Sequence, residues 1–208
     1  IRFVLKINMT IKVASTAIIH PGVKLGENTI IEDYCIVGLS FKGMKNEKTI
    51  IGDNATIRAG TYIYAGNQIG ENFQTGNKAN IRELNIIGND VSVGTLSVIE
   101  HHVSIANGVR IHSQAFIPEY SILDKESWIG PNVVLTNVKY PTHPHAKDNI
   151  SGVHIKEKAI IGANSTILPG VTVGSGSLIG AGSTVAKDVP ESVIILGKSA
   201  AYNRKNDY

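Results

Sequence analysis

The chain has 208 residues, of which 42% are hydrophobic, 18% charged and 6% aromatic, with 21 glycines and a formal net charge of +3. These proportions suit one folded domain, read as residues 1–208, and exclude intrinsic disorder. No run of about 18 apolar residues offers a membrane span, and the single cysteine, Cys35, excludes an internal disulfide or a paired-cysteine zinc site.

Residues 1–8 precede Met9 and contain no apolar stretch followed by a small-residue cleavage site, so no export signal is read there. A reducing, cytoplasmic setting is the expectation. Lysines and arginines are spread along the chain without a basic stripe or interleaved aromatics, so neither nucleic acid nor membrane is an expected partner. Small anionic ligands remain compatible with that charge.

From residue 13 onward a period of six governs the chain. Val13, Ile19, Leu25, Ile31 and Val37 lead the first hexads, and an unbroken series then runs from Ile51 to Leu135 in steps of six. The register resumes at Ile155 and continues through Ile161, Ile167, Val173, Ile179 and Val185. Of 26 lead residues, 25 are Ile, Val or Leu; only Thr75 departs. Glycine takes the second hexad position in 11 of the 26, including Gly52, Gly70, Gly130, Gly162 and Gly180, and is expected to turn backbone corners. Four residues after the lead, small side chains such as Ala17, Cys35, Ser97 and Ser165 fit inside a tight turn. Neither a helical period nor simple alternation explains one large apolar residue in every six, whereas short strands separated by corners do.

Two segments leave the register. Residues 39–50 carry Lys42, Lys45 and Lys48 and are read as a solvated loop. Residues 137–154 are polar and rich in proline, long enough to reach a neighbouring subunit, and are read as a functional loop. Residues 189–208 are expected to form a tail.

This pattern, over residues 13–188, resembles the hexapeptide-repeat family. The resemblance implies an all-β fold, a left-handed parallel β-helix with three flat faces and 18 residues per coil, and 26 hexads then make eight to nine coils. Residues 18 apart should stack at about 4.8 Å. One such column is Glu83, His101, Glu119 and Asn137, all pointing away from the core, with Asn137 at the mouth of the long loop. A histidine beside a carboxylate can be oriented and kept basic, and an amide can hold a substrate group. Arg82 and Glu100 form a neighbouring column suited to an ion pair. His102 lies between Leu84 and Tyr120 and is read as packing, while His112 occupies a corner where glycine is common and is a candidate ligand contact. His143 and His145 on the long loop are rivals for the base.

Within the family, SWIGPNVVLTNVKYP at residues 127–141 and the segment 159–190 resemble acetyl-CoA-dependent acetyltransferases. HSQAFIPEY with GPNVVLTN is similar to enzymes that N-acetylate amino sugars carried on nucleotide diphosphates. The resemblance implies that His101, Glu119 and Asn137 are catalytic, and Glu83, His112 and Tyr140 are taken as substrate contacts. It also implies acetyl-CoA as co-substrate near Ala163, Ala181, Ala186 and Lys187, and a homotrimer with active sites between subunits. The His-Pro of sugar hydroxyl acetyltransferases is replaced by Tyr140-Pro141, which ranks an O-acetyltransferase below the N-acetyltransferase. The usual Gly-Asn-Pro-Ala after the prism is here Gly197-Lys198-Ser199-Ala200. No nucleotidyltransferase segment precedes the repeats within these 208 residues, so a member other than the bifunctional ones is expected. A γ-carbonic-anhydrase-like zinc hydratase and a silent scaffold are the remaining alternatives; the first lacks a third histidine, since Asn137 and Val138 stand where a ligand would be needed.

Overall fold

The computed structural model describes residues 10–41 and 47–197. Lys42, Lys45 and the tail from Lys198 onward lie outside the described residues, as do residues 1–8. The described chain winds into a parallel β-solenoid of 27 short strands, arranged as three sheets of ten, nine and eight. We call these the first, second and third faces. Successive strands visit the faces in turn, and a rung on any face pairs in parallel with the rung 18 residues away, as Val98 with Phe116 and Ile99 with Ile117. The first face both begins and ends the prism, so nine coils are followed by the first rung of another, where eight to nine were expected.

The period of six does not reach that last coil. Val189 bridges Val173, and Ile194–Ile195 pair with Leu178–Ile179. The spacing from Val185 to Ile195 is not a multiple of six, so the solenoid continues past residue 188 while the repeat does not.

Every lead residue from Ile31 to Val185 is at most 5% exposed, and together they fill the prism as one continuous core. Burial of this one apolar column on each face is the main force that closes the coils. Thr75 keeps its place in the stack because its hydroxyl accepts the Arg58 N–H at 2.9 Å and contacts the Thr61 hydroxyl at 3.3 Å. Cys35 is wholly buried, and that burial raises its thiol pKa.

Apart from Gly38, whose own backbone is left-handed with φ of 80°, the corner glycines serve a purpose other than the expected one. Left-handed backbone falls two positions later, at residues such as Asn28, Asn54, Asp90 and Asn164. Asn and Asp tolerate that region better than most residues. Glycine at the second position is required instead by the next coil: a Cβ on Gly162 would sit 2.5 Å from the Ala181 nitrogen, and one on Gly52 would sit 2.6 Å from the Gly70 carbonyl carbon. Such glycines line the edge from the first to the second face and the edge from the third to the first. The edge from the second to the third face differs, for Tyr64, Arg82, Glu100, Pro118 and Thr136 stand there in the glycine position.

Candidate active site on the loop-bearing edge

Both inserted segments leave the prism on that same edge. The first joins Ile36–Leu39 on the second face to Thr49–Ile51 on the third, and the second joins Val134–Leu135 to His154–Ile155 in the same sense. Between their exits run the coils that carry Arg82, Glu83, Glu100, His101 and Glu119.

A ladder of buried amides fixes this edge from within. Asn67 Nδ2 donates to the carbonyls of Tyr64 and Arg82 at 2.7 and 2.8 Å. Asn85 Nδ2 donates to Arg82 O at 2.8 Å, and its Oδ1 accepts the Val103 N–H at 2.7 Å. Asn85 therefore ties the coil of Arg82 to the coil of His101. Replacing it by Leu leaves the Val103 N–H without its partner and removes one donor from Arg82 O, with an expected cost of about 3 kcal/mol. A urea unfolding curve measures that loss, and an unchanged midpoint refutes the assignment.

Arg82 and Glu83 form a paired charge below the column. The guanidinium meets the Glu83 carboxylate at 2.9 and 3.0 Å and reaches Glu100 at 3.5 Å, while its carbon lies 5.1 Å from the centre of the Tyr64 ring. The expected Arg82 to Glu100 contact is present, but the two-pronged bond to Glu83 is tighter. Glu83 is only 1% exposed. Burial opposes its charge, yet the hydrogen bonds from Arg82, helped by the field of that guanidinium, hold its carboxyl below the usual carboxylate range. The same pairing raises the pKa of Arg82. As placed here, Glu83 supports the edge from beneath and does not present its carboxylate to solvent.

Above this pair the structure brings three expected residues together. His101 Nε2 lies 2.7 Å from Glu119 Oε1, and Asn137 Nδ2 donates to Glu119 Oε2 at 3.4 Å. Glu119 thus bridges the other two, each one coil away. The second nitrogen of His101 is also engaged: its Nδ1 lies 2.8 Å from Nδ1 of His102, whose ring lies against Tyr120 at 5.5 Å. The packing role expected for His102 is joined by this hydrogen bond, which a pair of adjacent histidines at a corner signalled but did not prove. Around His101 three carboxylates, Glu83, Glu100 and Glu119, face one guanidinium, Arg82. The local field therefore favours a cationic ligand.

The remaining candidates lie elsewhere. Tyr140 and His143 line a cavity of about 440 Å³ with Val138, Asn149, Ser151 and Pro169, beside the end of the column. His145 faces outward toward Asp148 at 3.2 Å. His112 is on the opposite edge of the second face, its ring 4.5 Å from that of Trp128. Ala163 and Ala181 stack on that same distant edge, joined by the Gly182 N–H to Ala163 O bond at 2.8 Å. Ala186 and Lys187 stand on the loop-bearing edge, two coils beyond Asn137 along the register. One copy of the chain therefore splits the cofactor candidates between two edges with the second face between them. Within one copy, no three His, Cys, Asp or Glu side chains among the described residues gather as a metal would require, and no described helix is long and apolar enough to cross a membrane.

Fold and repeat define a hexapeptide-repeat β-solenoid, and the chain resembles the hexapeptide-repeat acyltransferases, including those that act on nucleotide sugars. Residues 152–187 match the bacterial transferase hexapeptide family of six repeats, and residues 29–65 match the hexapeptide repeat of succinyl-transferase. The chain is similar to the bifunctional protein GlmU of Clostridioides difficile, 28% identical over 192 residues, covering 92% of this chain and 39% of that protein. It is also similar to GlmU of Listeria welshimeri, 26% identical over 202 residues, covering 97% of this chain and 41% of that one. The chain thus spans about two fifths of the length of these curated relatives. Among solved structures, the UDP-N-acetylglucosamine acyltransferase of Francisella novicida shares the fold with a TM-score of 0.73 at 21% identity, covering 88% of this chain and 66% of that one.

Proposed function

We propose that the chain is an acyltransferase that moves an acetyl group from acetyl-CoA to the amine of a nucleotide-linked amino sugar. The observation that carries this reading is Glu119, which holds His101 at 2.7 Å and Asn137 at 3.4 Å on an edge where carboxylates outnumber the guanidinium. An amine arrives at neutral pH largely as a cation, which that field attracts, and must lose a proton to become a nucleophile. A hydroxyl acceptor gains nothing from the same charge. In this reading the His101 and Glu119 pair takes the proton, Asn137 orients the sugar, and the amine attacks the thioester carbonyl as the thiolate leaves.

The donor fits the two edges taken together. Ala163 and Ala181 present short side chains, and a Cβ placed on the adjoining Gly182 would meet nothing within 4 Å, so the backbone there is open to a long, thin ligand. Lys187 supplies a cation for phosphate on the other edge. Because a single copy separates these groups, the reading joins the loop-bearing edge of one subunit to the alanine-lined edge of its neighbour in a homotrimer, within the cytoplasm.

A thiol-release assay tests the reading with acetyl-CoA against uridine- and thymidine-diphosphate 3-amino and 4-amino sugars, run beside the matching hydroxyl sugars. Turnover of an amino sugar alone is expected. Turnover restricted to hydroxyl sugars would transfer the role of base to His143 on the long loop and overturn the N-acetyl reading.

A further inference from the structure

We propose that His102 is the group that meets the acceptor amine, with His101 behind it as the middle member of a relay from Glu119. The proposal rests on the acyltransferase reading above and assigns its first proton acceptor. Both nitrogens of His101 are occupied, Nε2 by Glu119 at 2.7 Å and Nδ1 by His102 at 2.8 Å. A carboxylate accepts only, so Nε2 of His101 carries a proton; in the neutral ring that the relay starts from, its Nδ1 then accepts from the Nδ1–H of His102. That leaves Nε2 of His102 as a lone-pair nitrogen with no hydrogen bond among the described residues, on an exposed side chain.

The ring is held in place for that task. Its backbone is left-handed, with φ of 56°, which turns the side chain off the edge, and Tyr120 lies over it at 5.5 Å and 31°. Leu84 occupies the same register position one coil below. The charged and titratable groups around the pair are Glu119 above His101, Glu83 below it, Arg82 and Glu100 alongside, and the Tyr120 phenol over His102.

Proton and bond changes balance along the relay. As the amine nitrogen forms its bond to the thioester carbonyl carbon and the carbon–sulfur bond breaks, the N–H proton passes to Nε2 of His102. The Nδ1 proton of His102 moves to Nδ1 of His101. The positive charge then resides on His101 against the Glu119 carboxylate, where an ion pair stabilises it. Return of the proton through Nε2 of His102 to the departing thiolate restores the starting state.

The test uses the full chain, acetyl-CoA and the amino sugar that the wild type turns over best. His102→Asn and His102→Gly both suit the left-handed backbone, so both are expected to fold, with melting curves as the control. Each should lower kcat by about 10²-fold, leave KM for acetyl-CoA unchanged and flatten the acidic limb of the kcat/KM pH profile. His101→Asn should cost a similar factor, and the double variant no more than the worse single change, because the two rings act as a unit. A His102→Asn enzyme within about threefold of wild type, with its acidic limb intact, overturns the relay, as do losses that multiply in the double variant. In either case wild-type turnover keeps the acyltransferase reading standing; an inactive wild type overturns both.

Discussion

Glu119→Ala is expected to lower kcat toward an amino-sugar acceptor by about 10²-fold, with little change in KM for acetyl-CoA. One side chain performs two tasks on this edge. It holds the His101 ring through Nε2 at 2.7 Å, and it accepts from the Asn137 amide at 3.4 Å. Removing it frees the ring to rotate and takes away the negative charge that would stabilise an imidazolium formed during transfer. Steady-state kinetics with one acceptor and varied acetyl-CoA separate the two parameters. A fall smaller than about threefold would mean that alignment of two bound substrates supplies most of the rate, since positioning alone can remove a large part of such a barrier.

Gly162→Ala is expected to be among the damaging single-methyl changes in the prism. The added Cβ would lie 2.5 Å from Ala181 N, 2.7 Å from Ile179 O and 2.9 Å from Ala181 Cα, all of them backbone that cannot rotate aside. The coils must part, and the bonds from Gly162 N–H to Ile179 O at 2.7 Å and from Gly182 N–H to Ala163 O at 2.8 Å are the first to lengthen. A loss of more than about 4 kcal/mol is expected. Each coil touches only its neighbours, so the coils beyond residue 162 should open before the rest, giving an early step in a thermal melt followed by hydrogen exchange. Gly182→Asn is the matched comparison: its φ of 70° suits Asn and its Cβ position is empty, so the change should alter stability by less than about 1 kcal/mol. Equal melting curves for the two variants would refute the account of why glycine stands at these corners.

The core was legible because it is periodic. One apolar residue in six from Ile51 to Leu135, with Thr75 the single exception, admits few other folds, and residues 18 apart do stack. The column of His101, Glu119 and Asn137 was legible for the same reason, since register turns sequence distance into contact. What the period could not supply was side-chain direction. Arg82 stands in line with Glu100, yet its shortest contacts go to the adjacent Glu83, because neighbouring residues at a corner can converge where the backbone turns. The His101 and His102 contact escaped for that reason too. The purpose of the corner glycines was missed because coil-to-coil crowding depends on how closely two backbones pass, a quantity no single stretch of sequence records. Val189 and Ile195 were missed because the last coil keeps the geometry of the repeat while losing its spacing.

Both long segments depart from and rejoin the prism on a single edge, and strands on either side keep their partners across them: Lys24 still pairs with Ile50, and Ile122 with His154. Chain length there is decoupled from the winding of the solenoid. Segments of other sizes can be exchanged at these points without rewriting any inward-facing residue. In the proposed acyltransferase reading, acceptor choice is tuned along this seam, while the stacked aliphatic column behind it stays unchanged.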